Sequence, residues 1–150
     1  MGHRKGLRFS SLSARAFCQA TESVEKVRAA LRTIIPDDTE LSLRSASGHF
    51  GNPITIIEGR IEGTRAIREV LSRLPAEVPA VPSSRGSAFM LRFDKASALT
   101  GALVSGTDDP ILVRIAVNMW GRPLDWDEVI SEVRKKGTGS HSLPEVDSSE

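Results

Sequence analysis

Alternation of apolar residues with other residues, at a period of two, is the feature that most limits the fold of this chain. It is cleanest from Ile111 to Asn118, where every second residue is isoleucine or valine. This pattern is typical of a strand that buries one side. Weaker alternation predicts five more strands, at residues 7–19, 40–46, 54–62, 89–94 and 102–105.

Apolar residues at helical spacing follow three candidate capping residues, Thr21, Thr64 and Asp125. Pro36 and Pro75 mark the ends of the first two predicted helices. The predicted order is therefore β-α-β-β-α-β-β-β-α. Short links between neighbouring strands indicate an α+β fold, a mainly antiparallel sheet with helices packed on one face. The other face of the sheet is left open.

Two segments leave alternatives open, and a third is predicted to lack strands and helices. The pair Ile56-Ile57 breaks the alternation of its strand, which indicates either a β-bulge or a strand buried on both faces. Residues 95–99 fit a short helical turn or a bulged crossing. The segment 76–87 contains two prolines and is predicted to be a loop.

The length of 150 residues fits one domain. We expect a flexible basic N-terminus at residues 1–6, a single α+β domain at 7–136 and a disordered tail at 137–150. The tail is rich in serine, glycine and acidic residues.

The net charge of +1 is almost neutral, so any nucleic-acid site must concentrate its positive charge on one surface. The single cysteine excludes an internal disulfide and indicates a reducing compartment. No apolar stretch approaches the roughly 18 residues that span a membrane. We therefore expect a cytoplasmic protein that does not bind a membrane.

Residues for catalysis are scarce. Cys18 lies in the apolar register of the first strand, as a small buried side chain would. His49 is the one histidine within the predicted domain, and one histidine cannot hold a metal ion without further ligands. We expect no enzymatic activity, no metal and no cofactor.

Arginine is the residue type whose distribution stands out, since five arginines fall on five different predicted strands: Arg15, Arg44, Arg60, Arg92 and Arg114. Arg92 and Arg114 lie opposite the apolar register. A guanidinium group binds phosphate through two parallel hydrogen bonds and can stack on bases. Five on an open sheet would form a track for a nucleic-acid backbone. The alternative is a solvated face on which they pair with Glu58, Glu62 and Asp94.

Aromatic surface for stacking on bases is limited. Phe17 and Phe50 would add some, although phenylalanine more often lies in a core. The chain contains no tyrosine, which sheet-based RNA readers commonly use.

Two short segments carry a recognisable signature. Residues 48–54 read Gly-His-Phe-Gly-Asn-Pro-Ile and are followed by Ile-Glu-Gly-Arg-Ile at 57–61, while residues 91–96 read Leu-Arg-Phe-Asp-Lys-Ala. They resemble an archaeal family of RNA-binding proteins, or predicted exosome subunits. Its members typically have Gly-His-His-Gly-Asn-Pro-Ile, Leu-Glu-Ala-Arg-Ile and Leu-Arg-Phe-Asp-Lys-Gln. The resemblance covers roughly residues 14–117 and departs from the pattern at Phe50, where a second histidine is usual, and at Ser97-Ala98, where an aromatic residue often follows.

This resemblance implies a fold similar to that of ribosomal protein L5 and an RNA-binding role. Six positions of this chain match the family's motifs and are the ones to which the resemblance assigns this role: His49, Gly51, Asn52, Arg92, Asp94 and Lys95. With the strand arginines, the predicted RNA-binding residues are Arg15, Arg44, His49, Asn52, Arg60, Arg92, Lys95 and Arg114. Asp94 has two interpretations. Arg92 and Lys95 on either side of it could clamp a phosphate, or its carboxylate could cap the turn that follows.

The predicted function is therefore an RNA-binding module, accessory to RNA processing by the exosome or to a ribosome-related assembly. Its partners would be RNA and components of those assemblies. The alternative is a protein-interaction or homodimerisation module that uses the sheet face or an edge strand and has no nucleic-acid role.

Overall fold

The computed structural model describes residues 8–83, 88–118 and 125–141. Along these residues the strands and helices follow in the order β1 (Arg8–Cys18), α1 (Val24–Leu31), β2 (Leu41–Ser47), β3 (Pro53–Glu62), α2 (Thr64–Arg73), β4 (Val81–Pro82), β5 (Ala88–Phe93), α3 (Lys95–Leu99), β6 (Ile111–Asn118) and α4 (Trp126–His141). None of these helices is both long and apolar enough to cross a membrane.

The strands form one sheet in the order β2-β3-β1-β6-β5-β4, and every neighbouring pair is antiparallel. The predicted α+β class with an antiparallel sheet is confirmed. β1 lies at the centre, paired with β3 on one side and β6 on the other. Its pairing with β6 shifts between Phe9 and Ser11, so that Ser10 is an extra residue in β1.

The hydrophobic core lies between one face of the sheet and helices α1, α2 and α4. From the sheet it includes Leu12 of β1, Ile57 of β3 and Val113 of β6, all fully buried. From the helices it includes Leu31 and Leu71. Because paired residues project to the same side of a sheet, this arrangement leaves the opposite face of the sheet free of these helices.

Two of the three predicted helix caps are wrong. Ser23 caps α1, where its hydroxyl accepts a hydrogen bond from the Lys26 N–H at 3.3 Å. Thr21 does not cap α1 because it lies in the preceding turn, in which Glu22 accepts from the Gln19 N–H. Thr64 is the first residue of α2, and its hydroxyl accepts a hydrogen bond from the N–H of Phe9 in β1.

The third cap is confirmed as a capping box at the start of α4. The Glu128 N–H donates to the Asp125 carboxylate at 2.9 Å, and the Asp125 N–H donates to the Glu128 carboxylate at 3.1 Å. The backbone of α4 continues to His141, past the predicted start of the tail at residue 137. The physical reason is that extending an existing helix by a residue costs far less free energy than nucleating a new one. Residues 1–6 and 142–150 lie outside the described residues.

The order of elements differs from the predicted order in the second half of the chain. β4 lies in the predicted loop, where Val81 and Pro82 pair with β5. Residues 95–99 form helix α3. The strand predicted at 102–105 is absent from this described segment except for one isolated bridge between Phe93 and Ser105. After α3 the chain returns beside the end of β5, where the Asp94 N–H donates to the Val104 carbonyl at 2.8 Å and the Gly106 N–H donates to the Arg92 carbonyl at 3.2 Å, but this pairing stops at the single bridge.

The doublet Ile56-Ile57 contains no β-bulge, and its two side chains are buried on opposite faces of β3. Ile57 is fully buried and Ile56 is 8% exposed, and β3 pairs with both neighbours without a register shift. The bulge lies in β1 instead.

Candidate nucleic-acid interface

The five strand arginines emerge on one face of the sheet, opposite the helices. Arg15 is paired with Glu58 of β3 and with Leu112 of β6, and Leu112 is paired with Arg92 of β5. Ser13 is paired with Arg60 on one side and with Arg114 on the other. Directly paired residues project to the same side, so these four arginines share a face.

Arg44 joins the same face through a second row of pairs. It is paired with Ile56, and Ile56 is paired with Phe17, two residues after Arg15 on the same side of β1. These five arginines span about 20 Å diagonally across the sheet, given strands about 4.8 Å apart and a rise of about 3.4 Å per residue.

Arg8 is a sixth arginine on this face, and it is absent from the sequence prediction. Phe9 is paired with Val117, and both side chains belong to the core, so the exposed Arg8 projects to the other side. The extra residue at Ser10 puts Phe9 and Leu12 on the same face although they are three residues apart. The only signal in the sequence was this slip in the apolar spacing. We call the surface of Arg8, Arg15, Arg44, Arg60, Arg92 and Arg114 the arginine face.

The charge on the arginine face is more positive than that of the chain. The six arginines share the face with Glu58 and Glu62, so its formal charge is +4, against +1 for all 150 residues. Positive charge is therefore concentrated on one surface, as RNA binding by a nearly neutral protein requires.

Ion pairs occupy two of these arginines. Arg15 lies 3.8 Å from Glu58, and Arg60 lies 3.1 Å from Glu62. Both pairs are solvent-exposed and worth about 0–1 kcal/mol each, so a phosphate could replace either carboxylate at small cost. The remaining arginines, Arg8, Arg44, Arg92 and Arg114, make no ion pair with any residue in the described ranges.

Apolar side chains lie between the arginines. Phe17 and Leu112 are half-buried on this face, as is Met90, which is paired with Arg114. Phe17 therefore lies outside the helix-packed core. Apolar surface beside a guanidinium group weakens its contact with water and so strengthens its attraction for an anion.

The β2–β3 hairpin carries the Gly-His-Phe-Gly-Asn-Pro-Ile segment at its tip. The Gly48 N–H donates to the Asn52 carbonyl at 2.7 Å, and the Gly51 N–H donates to the Gly48 carbonyl at 3.0 Å. Gly51 has a φ of +79°, a conformation that favours glycine. A side chain at Gly48 would collide with the Asn52 amide. The half-buried Asn52 is therefore part of the turn itself, whereas His49 is exposed.

Lys95 lies in the interior and not on the arginine face. Its ammonium donates to the Phe17 carbonyl at 2.6 Å, to Glu22 Oε1 at 2.9 Å and to Asp109 Oδ2 at 2.7 Å. Burial by itself would lower the pKa of Lys95, but hydrogen bonds to Asp109 and Glu22 outweigh it and hold that pKa above its ordinary value. Three acceptors thus occupy the ammonium, so Lys95 is unsuited to the predicted phosphate contact. The sequence could not reveal this, because the acceptors come from distant parts of the chain.

Asp94 caps α3, which decides between its two interpretations. Its carboxylate accepts from the Ser97 hydroxyl at 2.6 Å and from the Ser97 N–H at 2.9 Å. These two hydrogen bonds lower the pKa of Asp94. The clamp of Arg92 and Lys95 around a phosphate does not form, since Lys95 is directed into the interior.

Cys18 is buried, as predicted, with 2% of its surface exposed. Burial, and then the negative charge of Glu22, raise the pKa of its thiol, which makes the thiolate scarce at neutral pH. In the described part of the chain, no three histidine, cysteine or acidic residues are grouped so that they could hold a metal ion.

Comparison with known proteins identifies the family. A family model described as RNA binding matches residues 11–117. The chain belongs to this RNA-binding family. The matched region contains the β2–β3 hairpin and every arginine of the arginine face except Arg8.

Relatives and solved structures agree with this family. A protein of Pyrococcus abyssi named as an RNA-binding protein is 32% identical over 146 residues, covering 86% of this chain and 94% of its own length. The structure of a DUF54 protein from Methanothermobacter thermautotrophicus is 28% identical with a TM-score of 0.62, covering 85% of this chain and 97% of its own. A DUF54 protein from Sulfolobus solfataricus shares the fold at 20% identity, with a TM-score of 0.57 and coverage of 87% and 99%.

Proposed function

We propose that this protein binds RNA by holding the phosphate backbone across the arginine face, with little preference for base sequence. The observation that carries the proposal is the projection of six arginines, from five neighbouring strands of the sheet, to one surface opposite the helices. Membership of the RNA-binding family supports RNA as the ligand.

The proposed contacts differ from the sequence prediction in three residues. Arg8 is added, and Lys95 is omitted because its ammonium is already held by three acceptors. Asn52 is proposed to shape the hairpin tip rather than to contact RNA. Arg15, Arg44, Arg60, Arg92 and Arg114 remain as backbone contacts, and His49 remains as a contact at the tip.

The protein would act as a non-enzymatic, cytoplasmic accessory to an RNA-processing assembly such as the exosome, or to a ribosome-related one. The resemblance to predicted exosome subunits supports this part of the proposal, and so does the implied likeness to ribosomal protein L5. Affinity purification of the tagged protein, before and after ribonuclease treatment, tests it. Recovery of exosome or ribosomal proteins is the expected result, and recovery of neither contradicts it.

The binding test compares two triple variants with equal loss of charge. One is Arg44→Gln/Arg92→Gln/Arg114→Gln, which removes three arginines with no described ion pair. The control is Arg28→Gln/Arg65→Gln/Arg73→Gln, which removes three exposed arginines from α1 and α2. The RNA affinity of each is measured by fluorescence anisotropy over a range of salt concentrations.

We expect the arginine-face variant to bind about 100-fold more weakly, at about 1 kcal/mol per lost contact. The slope of the logarithm of the binding constant against the logarithm of the salt concentration should become less negative by about 2, since each contact with a single-strand phosphate contributes about 0.7. The control should retain most of its affinity. Equal losses in both variants, or binding that does not respond to salt, would rule out the arginine face as the site.

A second candidate function, homodimerisation or protein interaction, is favoured by one observation. β2 is an edge strand of seven residues whose Leu43 is 44% exposed, whereas the other edge, β4, has two residues and contains Pro82, which protects an edge. Light scattering decides between the functions. A stable dimer that binds no RNA would favour the second.

A further inference from the structure

Phe50 stands apart from the other aromatic residues of the described chain. It is 90% exposed, whereas Phe9, Phe89 and Phe93 are at most 3% exposed and Phe17 is half-buried. Among the described residues its ring contacts one other ring, that of His49, edge to face at a centroid distance of 4.7 Å. Phe50 therefore presents a ring to solvent while contributing little to the core.

The hairpin tip orders the backbone that carries this ring. Two backbone hydrogen bonds close the turn around it, from Gly48 to Asn52 and from Gly51 to Gly48. The paired strands on either side extend the hairpin directly from the sheet, with Ser47 paired to Pro53. An aromatic ring on such a turn loses little conformational freedom when it stacks, because the backbone is already ordered.

Charge around the tip suits a nucleic acid. Residues 41–57 contain one arginine, one histidine and no acidic residue. Arg44 lies three residues before the end of β2, about 10 Å from the point where the hairpin tip begins at ~3.4 Å per residue, and it faces the same side as the other arginines. The tip and the arginine face can therefore contact one strand a few nucleotides apart.

We propose that Phe50 stacks on an unpaired base, with the neighbouring backbone held by Arg44 and the arginine face. Stacking on an aromatic side chain requires a base that is free of its own helical neighbours. The preferred ligand is thus RNA with single-stranded nucleotides, such as a loop or an end, rather than a continuous duplex. This inference rests on the proposed RNA binding.

The test uses two fluorescent RNAs with equal numbers of phosphates, a hairpin with an unpaired loop and a fully paired duplex. The variants are Phe50→Ala and Phe50→Trp. Leu43→Ala is the control, because it removes another exposed apolar side chain from the same hairpin. A second copy of the loop RNA carries 2-aminopurine, whose fluorescence is quenched when it stacks.

We expect Phe50→Ala to weaken binding to the looped RNA by about fivefold to 100-fold and to abolish the 2-aminopurine quenching. Its affinity for the duplex and its salt dependence should change little. Phe50→Trp should retain both affinity and quenching, and Leu43→Ala should behave as the wild type.

Three outcomes would overturn the inference. If Phe50→Ala binds the looped RNA as the wild type does while the arginine-face variant loses it, stacking is absent and backbone binding stands. If Phe50→Ala weakens loop and duplex binding equally, the residue acts through the structure of the hairpin. If the wild type binds neither RNA but forms a homodimer, and Phe50→Ala makes that dimer dissociate, the proposed function itself fails and the tip is a protein contact.

Discussion

Replacing Lys95 by methionine should destabilise the fold, because it removes the cation that joins three separate parts of the chain. The ammonium, on a side chain only 10% exposed, binds the Phe17 carbonyl in β1, Glu22 before α1 and Asp109 before β6. Methionine keeps most of the aliphatic packing but leaves two carboxylates facing each other without a counter-ion. Breaking a buried ion pair in this way commonly costs 3–5 kcal/mol.

The expected cost is smaller here, about 2–3 kcal/mol, because each carboxylate side chain is 33% exposed and regains water when the lysine is lost. Urea unfolding followed by circular dichroism at pH 7 measures this free energy. Lys26→Met is the matched control, since Lys26 is exposed on α1, and a substitution there should change stability by less than about 0.5 kcal/mol. A Lys95→Met protein as stable as the control would refute the reasoning.

The pH dependence of the difference between wild type and Lys95→Met provides an independent check. Burial alone would raise the pKa of Glu22, but hydrogen bonds from the Gln19 N–H and from Lys95 outweigh it and hold the pKa below its ordinary value of 4.5. The stabilisation from Glu22 is thus present above pH 4.5 and is lost as pH falls through the lowered value. The pKa of Lys95 is raised above 10.5, so its stabilisation is present below pH 10.5 and is lost as pH rises through the raised value. The difference in stability should therefore be largest between these limits and should narrow beyond each; a constant difference would contradict the mechanism.

Two further predictions concern closely packed positions. Cys18 should not react with a thiol reagent such as Ellman's reagent at pH 8 in the native protein, and should react fully in urea, because burial restricts access to the thiol and raises its pKa; rapid labelling of native protein would contradict this. Gly106→Ala should lose about 1–3 kcal/mol in thermal or urea unfolding, because the new Cβ would lie 2.6 Å from the Asp94 Cα, while the exposed Ser105→Ala serves as the control.

Much of the sheet could be predicted from local pattern. The strand at Ile111–Asn118 was predicted with its observed ends, and the Asp125–Glu128 capping box was confirmed. These features depend on residues close together in the chain, where the periods of strands and helices and the chemistry of caps act directly. The placement of five arginines on five different strands was also visible, since alternation relates each of these arginines to the apolar register of its own strand.

Local pattern was insufficient where a residue's role depends on distant partners. Lys95 belongs to a segment that matched the family signature, yet its acceptors lie 78, 73 and 14 residues away. Arg8 was missed because the bulge at Ser10 changes which side of β1 each residue faces. The two-residue strand β4 has no pattern of its own and exists through its pairing with β5.

The sequence by itself thus determined the α+β class, the existence of the principal strands and the distribution of arginine among them, because each follows from the spacing of neighbouring residues. Only the tertiary structure decided that the arginines share one face, since that depends on the register between strands from different parts of the chain. It also decided that Phe50 is exposed while Lys95 is buried. A side chain's access to solvent, and hence to RNA, is set by what the rest of the chain packs against it.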